Sequence, residues 1–250
     1  MELKLKDTKT WRMCVGAISS IVDEAVFDIS PEGVRLRAMD ASHVALADLE
    51  LTAKGFDVFS AEKPVSIGVS LSEMNKVLFR AKPDDEMTIE FDEETNLLAM
   101  TFVSSLRRRF RVPVIDARKE TFSTPTLKHT ATAAVVAGTI MDGLKDAMTV
   151  GEETVQIRIS EEGVQLSSEG DRGTSELRLE AGSANLLGLK VNSPAQAKYN
   201  VSYFNKIIAP CPPREPIKLA IGTDLPIQVD YPIANGKLQF LLAPRVEGSS

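Results

Sequence analysis

The residue types that most often bind metals or act in catalysis are sparse in this 250-residue sequence. It contains two histidines, His43 and His129, and two cysteines, Cys14 and Cys211, and no two of these lie close together in the chain. Because no Cys-x-x-Cys or Cys/His ligand spacing occurs, we predict no metal site and no cofactor. Burial as apolar side chains is the interpretation that we favour for both thiols.

Carboxylates are clustered at two places, residues 83–86 and 91–94. Such clusters can mimic metal ligands, but both flank a predicted strand, so we interpret them as solvated turns. The sequence also lacks a Gly-x-x-x-x-Gly-Lys-Ser/Thr phosphate loop, a His-Glu-x-x-His motif and a Gly-x-Ser-x-Gly elbow. We therefore predict no catalytic residue, and an unrecognised enzyme is the least favoured of the three functional classes considered.

Basic residues are most concentrated in "SSLRRRFRVPV", residues 104–114. Apolar and charged positions alternate there, which predicts a strand whose cationic face carries Arg107, Arg109 and Arg111. An edge strand covered by another subunit is the favoured interpretation, and a solvated face and a nucleic-acid patch are the alternatives. The net charge of −6 argues against extensive binding to nucleic acid, although it allows a local basic face.

Two halves of the chain repeat each other at a fixed separation. "ISPEGVRL" at 29–36 matches "ISEEGVQL" 130 positions later, and at the same separation Leu49 and Glu50 meet Leu179 and Glu180. The separation also relates "LSEMNKVL" (71–78) to "VSYFNKII". One separation that links distant segments indicates a tandem duplication. We place the first domain at 1–116, a connector at 117–133 and the second domain at 134–250.

Each domain has the same predicted order of elements: helix, strands, helix, strands. Apolar residues recur every three or four positions over 11–22 and 136–147, which predicts the first helices. Second helices are predicted at 71–80 and 201–208. Alternating apolar residues predict strands at 25–30, 34–39, 44–51, 87–91, 97–103 and 107–115, and at 155–160, 164–168, 175–180, 217–221, 227–231 and 237–242. Two helices on a sheet-rich body predict an α+β fold.

Three apolar residues lie where a half-buried strand should be polar. Met39, Val44 and Leu46 fall on the charged faces of two neighbouring predicted strands, and they predict a small exposed apolar patch. The residues 130 positions later are all polar: Glu169, Thr174 and Glu176. The patch is therefore specific to the first domain. A docking site for a partner is the favoured interpretation, and packing under the connector or against another subunit is the alternative.

The segments that carry these features resemble one known family. "GVRLRAMDASHVALADLEL", the preceding "EAVFDIS" and the C-terminal "LLAPRVE" at 241–247 are similar to the proliferating-cell-nuclear-antigen type of DNA sliding clamp in its archaeal form. The resemblance covers essentially the whole chain. It implies a ring of three subunits, each with two topologically equivalent domains that carry two helices packed on antiparallel sheets. The helices would line a hole through which duplex DNA passes.

The resemblance also implies roles for three groups of residues. Partners would dock by a short PIP-box motif in a pocket formed here by Met39, His43, Val44, Leu46, Leu127, Pro226, Leu241, Ala243 and Pro244. Transient, sequence-independent phosphate contacts would come from cations on or beside the helices: Lys9, Arg12, Lys76, Arg80, Lys82, Lys145 and Lys206. The subunit interface would pair the edge strand in residues 104–114 with a strand at about 173–179, and it would include Arg107, Arg109, Phe110, Arg111, Asp142, Asp146 and Leu177.

The implied function is that of a non-catalytic sliding clamp that tethers DNA polymerase for processive replication and recruits replication and repair proteins. Expected partners are double-stranded DNA, DNA polymerase, the clamp loader, a flap endonuclease, DNA ligase and further copies of the chain as a homotrimer. A clamp-like subunit of a heterotrimeric or checkpoint ring is the alternative. The N-terminus is charged and no apolar run could span a bilayer, so we expect a cytoplasmic, nucleoid-associated protein of an archaeal cell.

Overall fold

A computed structural model describes residues 1–5, 7–117 and 127–245 of the chain. The chain divides into two compact units. The first comprises Met1–Ala41, Ala47–Thr121 and Ile233–Leu238, and the second comprises Ser42–Leu46, Phe122–Pro232 and Gln239–Ser250. The short segment Ser42–Leu46 therefore groups with the second half of the sequence. The predicted domain limits and the connector at 117–133 stay a prediction.

The first half of the chain contains two α-helices among the described residues, and its strands form two antiparallel arrangements. In chain order the elements are β1 (Glu2–Leu5), α1 (Lys9–Ser19), β2 (Glu24–Ser30), β3 (Gly33–Met39), β4 (Ala45–Thr52), β5 (Val58–Ser60), β6 (Val65–Ser70), α2 (Leu71–Leu78), β7 (Glu86–Asp92), β8 (Leu97–Val103) and β9 (Arg107–Pro113). The strands run in the orders β5-β1-β7-β8-β9 and β4-β3-β2-β6.

The second half repeats this plan element by element. Its elements are β10 (Ala131–Val136), α3 (Ala137–Thr149), β11 (Thr154–Ser160), β12 (Gly163–Gly170), β13 (Gly173–Glu180), β14 (Leu186–Val191), β15 (Ala195–Asn200), α4 (Val201–Ile208), β16 (Pro216–Ile221), β17 (Ile227–Tyr231) and β18 (Gly236–Leu242). The orders β14-β10-β16-β17-β18 and β13-β12-β11-β15 match those of the first half strand for strand. The predicted duplication and the α+β fold are confirmed.

The helices form because each has one apolar face, and α2 and α4 also have a capped start. Helix α1 buries Trp11, Cys14, Val15, Ala17 and Ile18 on one side, and it packs against α2. The second helix of each unit is capped at corresponding positions. The Ser70 hydroxyl accepts from the Glu73 N–H at 3.4 Å, and the Asn200 side chain accepts from the Tyr203 N–H at 3.0 Å. None of the described helices is long and apolar enough to cross a bilayer.

The separation between the two repeats is not constant. Gly33 has a φ angle of 148°, and a Cβ added there would lie 2.0 Å from the Leu51 carbonyl oxygen. Gly163 has a φ angle of 137°, and a Cβ added there would lie 1.9 Å from the Leu179 carbonyl oxygen. Leu51 therefore corresponds to Leu179, which is 128 positions away. The predicted match of Leu49 and Glu50 to Leu179 and Glu180 is wrong, because the loop 40–44 between β3 and β4 is longer than the turn at 171–172.

This correction assigns different counterparts to the apolar patch, but the counterparts are still polar residues. Leu46 corresponds to Thr174 rather than to Glu176, and Val44 corresponds to Arg172, whereas Met39 still corresponds to Glu169. A second pair of bonds supports the shift: the Ala53 N–H donates to the Glu32 carbonyl at 2.9 Å, as the Ala181 N–H does to that of Glu162 at 2.8 Å. The first unit is thus apolar where the second is polar.

Candidate interaction surfaces

The predicted DNA-facing cations occupy the helices and the turns beside them. Lys9, Lys76, Arg80, Lys82, Lys145 and Lys206 are exposed, and Arg12 is half-buried. Two of the lysines form weak intrahelical pairs, because Lys76 Nζ lies 2.6 Å from Glu73 Oε1 and Lys145 Nζ lies 3.1 Å from Asp142 Oδ1. All four side chains are more than half exposed, so a phosphate group can replace either carboxylate at little cost.

Arg12 has a different environment from the other six cations. Its Nη1 donates to the Ala81 carbonyl at 3.3 Å, and its guanidinium carbon lies 5.9 Å from the ring centroid of Phe79. Phe79 is 68% exposed at the C-terminal end of α2, and the sequence analysis did not single it out. The helical period could have revealed it, since Phe79 follows the buried Leu78 and falls outside the apolar face of α2.

Most of the predicted PIP-box pocket belongs to the second unit. Segment Ser42–Leu46 runs beside the end of β18, because the Ala243 N–H donates to the Val44 carbonyl at 2.9 Å. Val44, Ala243 and Pro244 are half-buried, and His43 is exposed with a φ angle of 56°. Met39 is half-buried and belongs to the first unit.

Leu46 does not belong to an exposed patch as predicted. It is only 6% exposed, and Leu241, which also lies in the second unit, is 8% exposed. The Val44–Ala243 hydrogen bond places these two residues opposite each other in an antiparallel pair, so each covers the other. The accessible apolar surface in this segment is therefore provided by Val44 rather than by Leu46.

Two further segments of the predicted pocket, the turn that carries Pro226 and the tail that carries Pro244, lie beside strand β15. The Asp224 N–H donates to the Gln196 carbonyl at 3.1 Å, and the Arg245 N–H donates to the Lys198 carbonyl at 2.7 Å. These two acceptors are two residues apart on one edge of β15, so the turn at 224–226 and the tail at 243–245 lie roughly 7 Å apart. The turn that carries Pro226 and the tail that carries Pro244 therefore both lie along β15.

The described end of the connector is attached to this turn. His129 Nε2 lies 2.9 Å from the Pro226 carbonyl oxygen, and the Thr130 N–H donates to the Ile221 carbonyl at 2.9 Å. Leu127, which precedes His129 by two residues, is half-buried. His129 therefore has a structural role in positioning the connector, which its isolated position in the sequence did not indicate.

β9 carries arginines on both faces, with different environments. Arg108 pairs with Asp85 and its Nη1 donates to the Arg80 carbonyl at 2.7 Å, on the side of α2. Arg109 lies 3.2 Å from Glu90, and Arg107 and Arg111 are exposed. Within the described residues, β9 hydrogen-bonds to β8 on one side only, so the predicted edge strand is confirmed. Its cationic face points away from the helices.

Asp85 contradicts the interpretation of residues 83–86 as a solvated turn. Its side chain is 0% exposed, whereas the neighbouring Asp84 is exposed as expected. Burial pushes the pKa of Asp85 upward, but the Lys82 backbone N–H, the Ser104 hydroxyl and the positive charges of Arg108 and Lys82 outweigh it and leave this pKa below its ordinary value. The partner Arg108 lies far away in sequence, which is why local composition could not reveal the burial.

β13 is a terminal strand of the other sheet arrangement in the second half. In the described part of the chain it pairs with β12 alone. Leu177 faces α3, because a Cβ on Gly143 would lie 3.3 Å from its side chain. On the opposite face Glu176 Oε1 accepts from Gln165 Nε2 at 2.5 Å and from Arg178 Nε at 2.6 Å. Asp142 and Asp146 are exposed on α3.

No arrangement suited to metal-dependent chemistry is found in residues 1–5, 7–117 and 127–245, where no group of three or more His, Cys, Asp or Glu side chains could hold an ion. Cys14 and Cys211 are both buried, as predicted. Burial raises the pKa of each thiol to about 12, so both remain protonated and unreactive at neutral pH.

Comparisons with known proteins agree on one family over the whole chain. The family model for the proliferating cell nuclear antigen N-terminal domain matches residues 1–118, and that for the C-terminal domain matches residues 121–246. A DNA polymerase sliding clamp of Thermococcus gammatolerans is 33% identical over 98% of this chain and 98% of its own length. One from Thermofilum pendens is 33% identical over 96% of this chain and 97% of its own length.

A solved structure shows the same architecture. The crystal structure of proliferating cell nuclear antigen from Thermococcus kodakaraensis superposes with a TM-score of 0.93 at 27% sequence identity. The match covers 98% of this chain and 99% of that chain. Both halves of the chain therefore share the fold of that protein.

Proposed function

Because the chain belongs to the proliferating cell nuclear antigen family of DNA polymerase sliding clamps, we propose that it forms a three-subunit ring that encircles duplex DNA and recruits partners through PIP-box motifs. It is a processivity factor for DNA polymerase and not an enzyme. A specialised subunit of a heterotrimeric or checkpoint ring is not favoured, because the similar proteins are named as polymerase sliding clamps.

One observation supports the ring: among the terminal strands of the sheets in the described residues are β9 in the first half, which hydrogen-bonds only to β8, and β13 in the second, which hydrogen-bonds only to β12. An edge strand presents unpaired backbone groups and is stable only when it is covered. Pairing β9 of one copy with β13 of the next is a head-to-tail contact, and such contacts generate a closed ring when the rotation between neighbouring copies closes. We assign Phe110 and Leu177 to the helix side of this interface, and Arg107, Arg109 and Arg111 to its outer side.

We infer that DNA is held by topology rather than by tight binding. The helix cations Lys9, Arg12, Lys76, Arg80, Lys82, Lys145 and Lys206 would make transient phosphate contacts, and the acidic residues Glu73 and Asp142 beside them limit the attraction. Weak contacts permit sliding, whereas a continuous cationic lining would slow it. Association with the nucleoid follows from this mode of binding.

Primer extension tests the clamp function. On a primed circular template, the protein with a clamp loader is expected to lengthen the products that DNA polymerase makes in a single binding event. On the same template cut to give a free double-stranded end beside the primer, the gain should disappear, because a topologically held ring slides off. Equal stimulation on both templates would contradict the encircling mechanism.

Binding of a PIP-box peptide tests the pocket. Met39→Glu and Val44→Glu each place a charge on half-buried apolar surface and are expected to weaken binding roughly tenfold or more, as measured by calorimetry. Glu169→Gln, at the position in the second unit that corresponds to Met39, is the matched control and should bind as the parent does. A peptide that binds both glutamate variants as tightly as the parent would exclude this pocket. The clamp loader, flap endonuclease and DNA ligase are the partners that we expect to use it.

A further inference from the structure

The most exposed large apolar side chain in the described residues lies among cations of the first unit. Phe79, at the end of α2, is 68% exposed, and a phenyl ring cannot bind the phosphate groups that we assign to its neighbours. Helix α1 packs against α2. Four cations belong to the first turn of α1 or closely follow Phe79 in sequence: Lys9, Arg12, Arg80 and Lys82. We call these five residues the Phe79 cluster.

Arg12 fixes the orientation of the ring. Its guanidinium carbon lies 5.9 Å from the ring centroid of Phe79, and its Nη1 donates to the Ala81 carbonyl at 3.3 Å. These two contacts connect the first turn of α1 to the turn after α2. A guanidinium above a ring covers one face only. The high exposure of Phe79 therefore leaves the opposite face accessible to a flat ligand.

Two arginines remove the feature of a helix end that repels anions. The carbonyl groups at the C-terminal end of a helix carry partial negative charge. After α2, the Arg80 carbonyl accepts from Arg108 Nη1 at 2.7 Å, and the Ala81 carbonyl accepts from Arg12. Both carbonyls thus face a guanidinium, and an anion can approach this end of the helix.

The Phe79 cluster carries a net positive charge. Lys9, Arg80 and Lys82 are exposed, so phosphate groups can reach them. The carboxylates exposed beside the cluster in sequence are Asp7 and Asp84, and Asp7 Oδ1 already accepts from the Lys9 N–H at 2.8 Å. Four cations against two carboxylates favour an anionic ligand.

The second unit lacks these features at the corresponding positions. The Phe79 N–H donates to the Asn75 carbonyl at 2.9 Å. The Ala209 N–H donates to the Asn205 carbonyl at 2.8 Å, so Ala209 corresponds to Phe79. The three residues after Ala209 are neutral, and the first turn of α3, residues 137–140, carries no charge. The duplicated fold therefore does not require the Phe79 cluster, which is specific to the first unit.

We propose that the Phe79 cluster binds an unpaired DNA strand, with one base stacked on the accessible face of Phe79 and the neighbouring phosphates beside Lys9, Arg80 and Lys82. A cationic surface with an aromatic side chain on which bases stack is the general arrangement for binding single strands. The bases of a duplex are already stacked on each other and offer the ring no free face. The proposal rests on the proposed clamp function, to which it adds the unpaired template that continues beyond a primer.

The arrangement suits a strand that moves past the protein. Every base has a flat π face, so stacking on Phe79 requires no particular sequence. The phosphate contacts of the exposed cations are transient and are weakened by salt, so they release the strand readily. A ring of three copies would offer three such clusters, one in each first unit.

Fluorescence anisotropy with a labelled oligothymidylate tests the stacking. A labelled strand of the same length without bases offers the same phosphates and is the matched probe. The parent chain should bind the oligothymidylate about fivefold or more tightly than the abasic strand. Phe79→Leu lacks the ring, so this preference should disappear while the affinity for the abasic strand stays the same. Ala209→Leu, at the exposed corresponding position, is the control and should behave as the parent does.

Phe79→Trp gives a direct signal of the contact. This variant keeps an aromatic face, so the preference for the oligothymidylate should remain. Its fluorescence should be quenched by the oligothymidylate and not by the abasic strand, because only a base can stack on the indole ring. Trp11, the native tryptophan, is 2% exposed and should give a constant background.

The outcomes separate this site from the clamp function and from a subunit contact. Loss of the preference in Phe79→Leu together with quenching in Phe79→Trp supports the site. An unchanged preference in Phe79→Leu, or an equal loss of affinity for both strands, would overturn it, because the ring would then contact no base. A Phe79→Leu chain that keeps the preference but loses the mass of a trimer would assign Phe79 to a subunit contact instead.

The clamp function is tested independently of this site. A parent chain that shows no preference for the oligothymidylate, yet lengthens the products on the primed circle, would overturn the site and leave the clamp function intact. A parent chain that does neither would overturn both.

Discussion

Replacing Arg107, Arg109 and Arg111 together by glutamate is expected to abolish the trimer and leave a folded monomer. The change brings three negative charges against β13 of the neighbouring copy, whose outer face carries Glu176 and Glu180. Juxtaposed like charges across an interface cost several kcal/mol. At micromolar concentration, light scattering should give a mass near 27.2 kDa for the variant and three times that value for the parent.

The lysine variant at the same three positions separates charge from shape. Arg107→Lys, Arg109→Lys and Arg111→Lys keep the cationic face and should remain trimeric at low salt. Because exposed charges are screened over about 8–10 Å at physiological ionic strength, the trimer of this variant should dissociate at lower protein concentration as salt is raised. A trimer that survives the glutamate substitutions would refute the assignment of β9 to the interface.

The strongly periodic parts of the fold were predictable from the sequence. The α4 helix at 201–208 and the strands at 97–103 and 227–231 have the predicted limits, because their apolar residues follow a regular pattern over the whole element. The strands β1, β5, β6, β10, β14 and β15 were not predicted. β1 is short and charged, and β10 is alanine-rich and was assigned in part to the connector. Their pairing depends on partners distant in sequence, which local patterns do not contain.

The predicted duplication is correct, but the predicted match of residues after the β3–β4 loop is wrong. Matching letters at a fixed separation detected the repeat, but they could not detect that the β3–β4 loop differs in length from the β12–β13 turn. The contacts of Gly33 and Gly163 reveal this difference in length. Each glycine lies against one residue of the neighbouring strand, Leu51 or Leu179, and these two residues are 128 positions apart. The error matters because it aligned Glu176 with Leu46 and hid its correspondence to Asp48, a carboxylate that lies 2.8 Å from Arg37 and 3.7 Å from Lys237.

The same limit explains the candidate sites. Residue type and spacing identified the cationic strand, and the resemblance supplied the pocket, but neither gave the exposure of a side chain. Leu46 was expected at the surface and is covered by the end of β18, whereas Asp85 was expected in solvent and is covered by β9. In both cases burial results from one long-range strand contact. Tertiary pairing therefore decides which of several plausible residues are available to a partner.

Asp85→Asn is expected to lower the free energy of unfolding by about 3 kcal/mol, because it leaves Arg108 without its buried carboxylate. Asp85 connects the turn after α2 to β9, since it pairs with Arg108 and accepts from the Lys82 N–H at 2.6 Å. Urea unfolding at pH 7 and fixed protein concentration measures the loss, with the concentration held constant because assembly shifts apparent stability. The matched control is Asp84→Asn, which removes an exposed charge next to it and should change stability by less than about 0.5 kcal/mol.

Acid should reproduce part of this effect in the parent chain. The pKa of Asp85 is lower in the folded chain than its ordinary value of about 4, so the unfolded chain takes up the proton first as the pH falls. Its contribution to stability is therefore complete above about pH 4 and is lost as the pH drops through the folded-state pKa. The difference in stability between the parent and Asp85→Asn should shrink over this range, whereas the difference between the parent and Asp84→Asn should stay small throughout. If the Asp85→Asn difference were the same at pH 3 as at pH 7, the stabilisation could not come from the charged carboxylate, and the link that holds β9 in place for the interface would lie elsewhere.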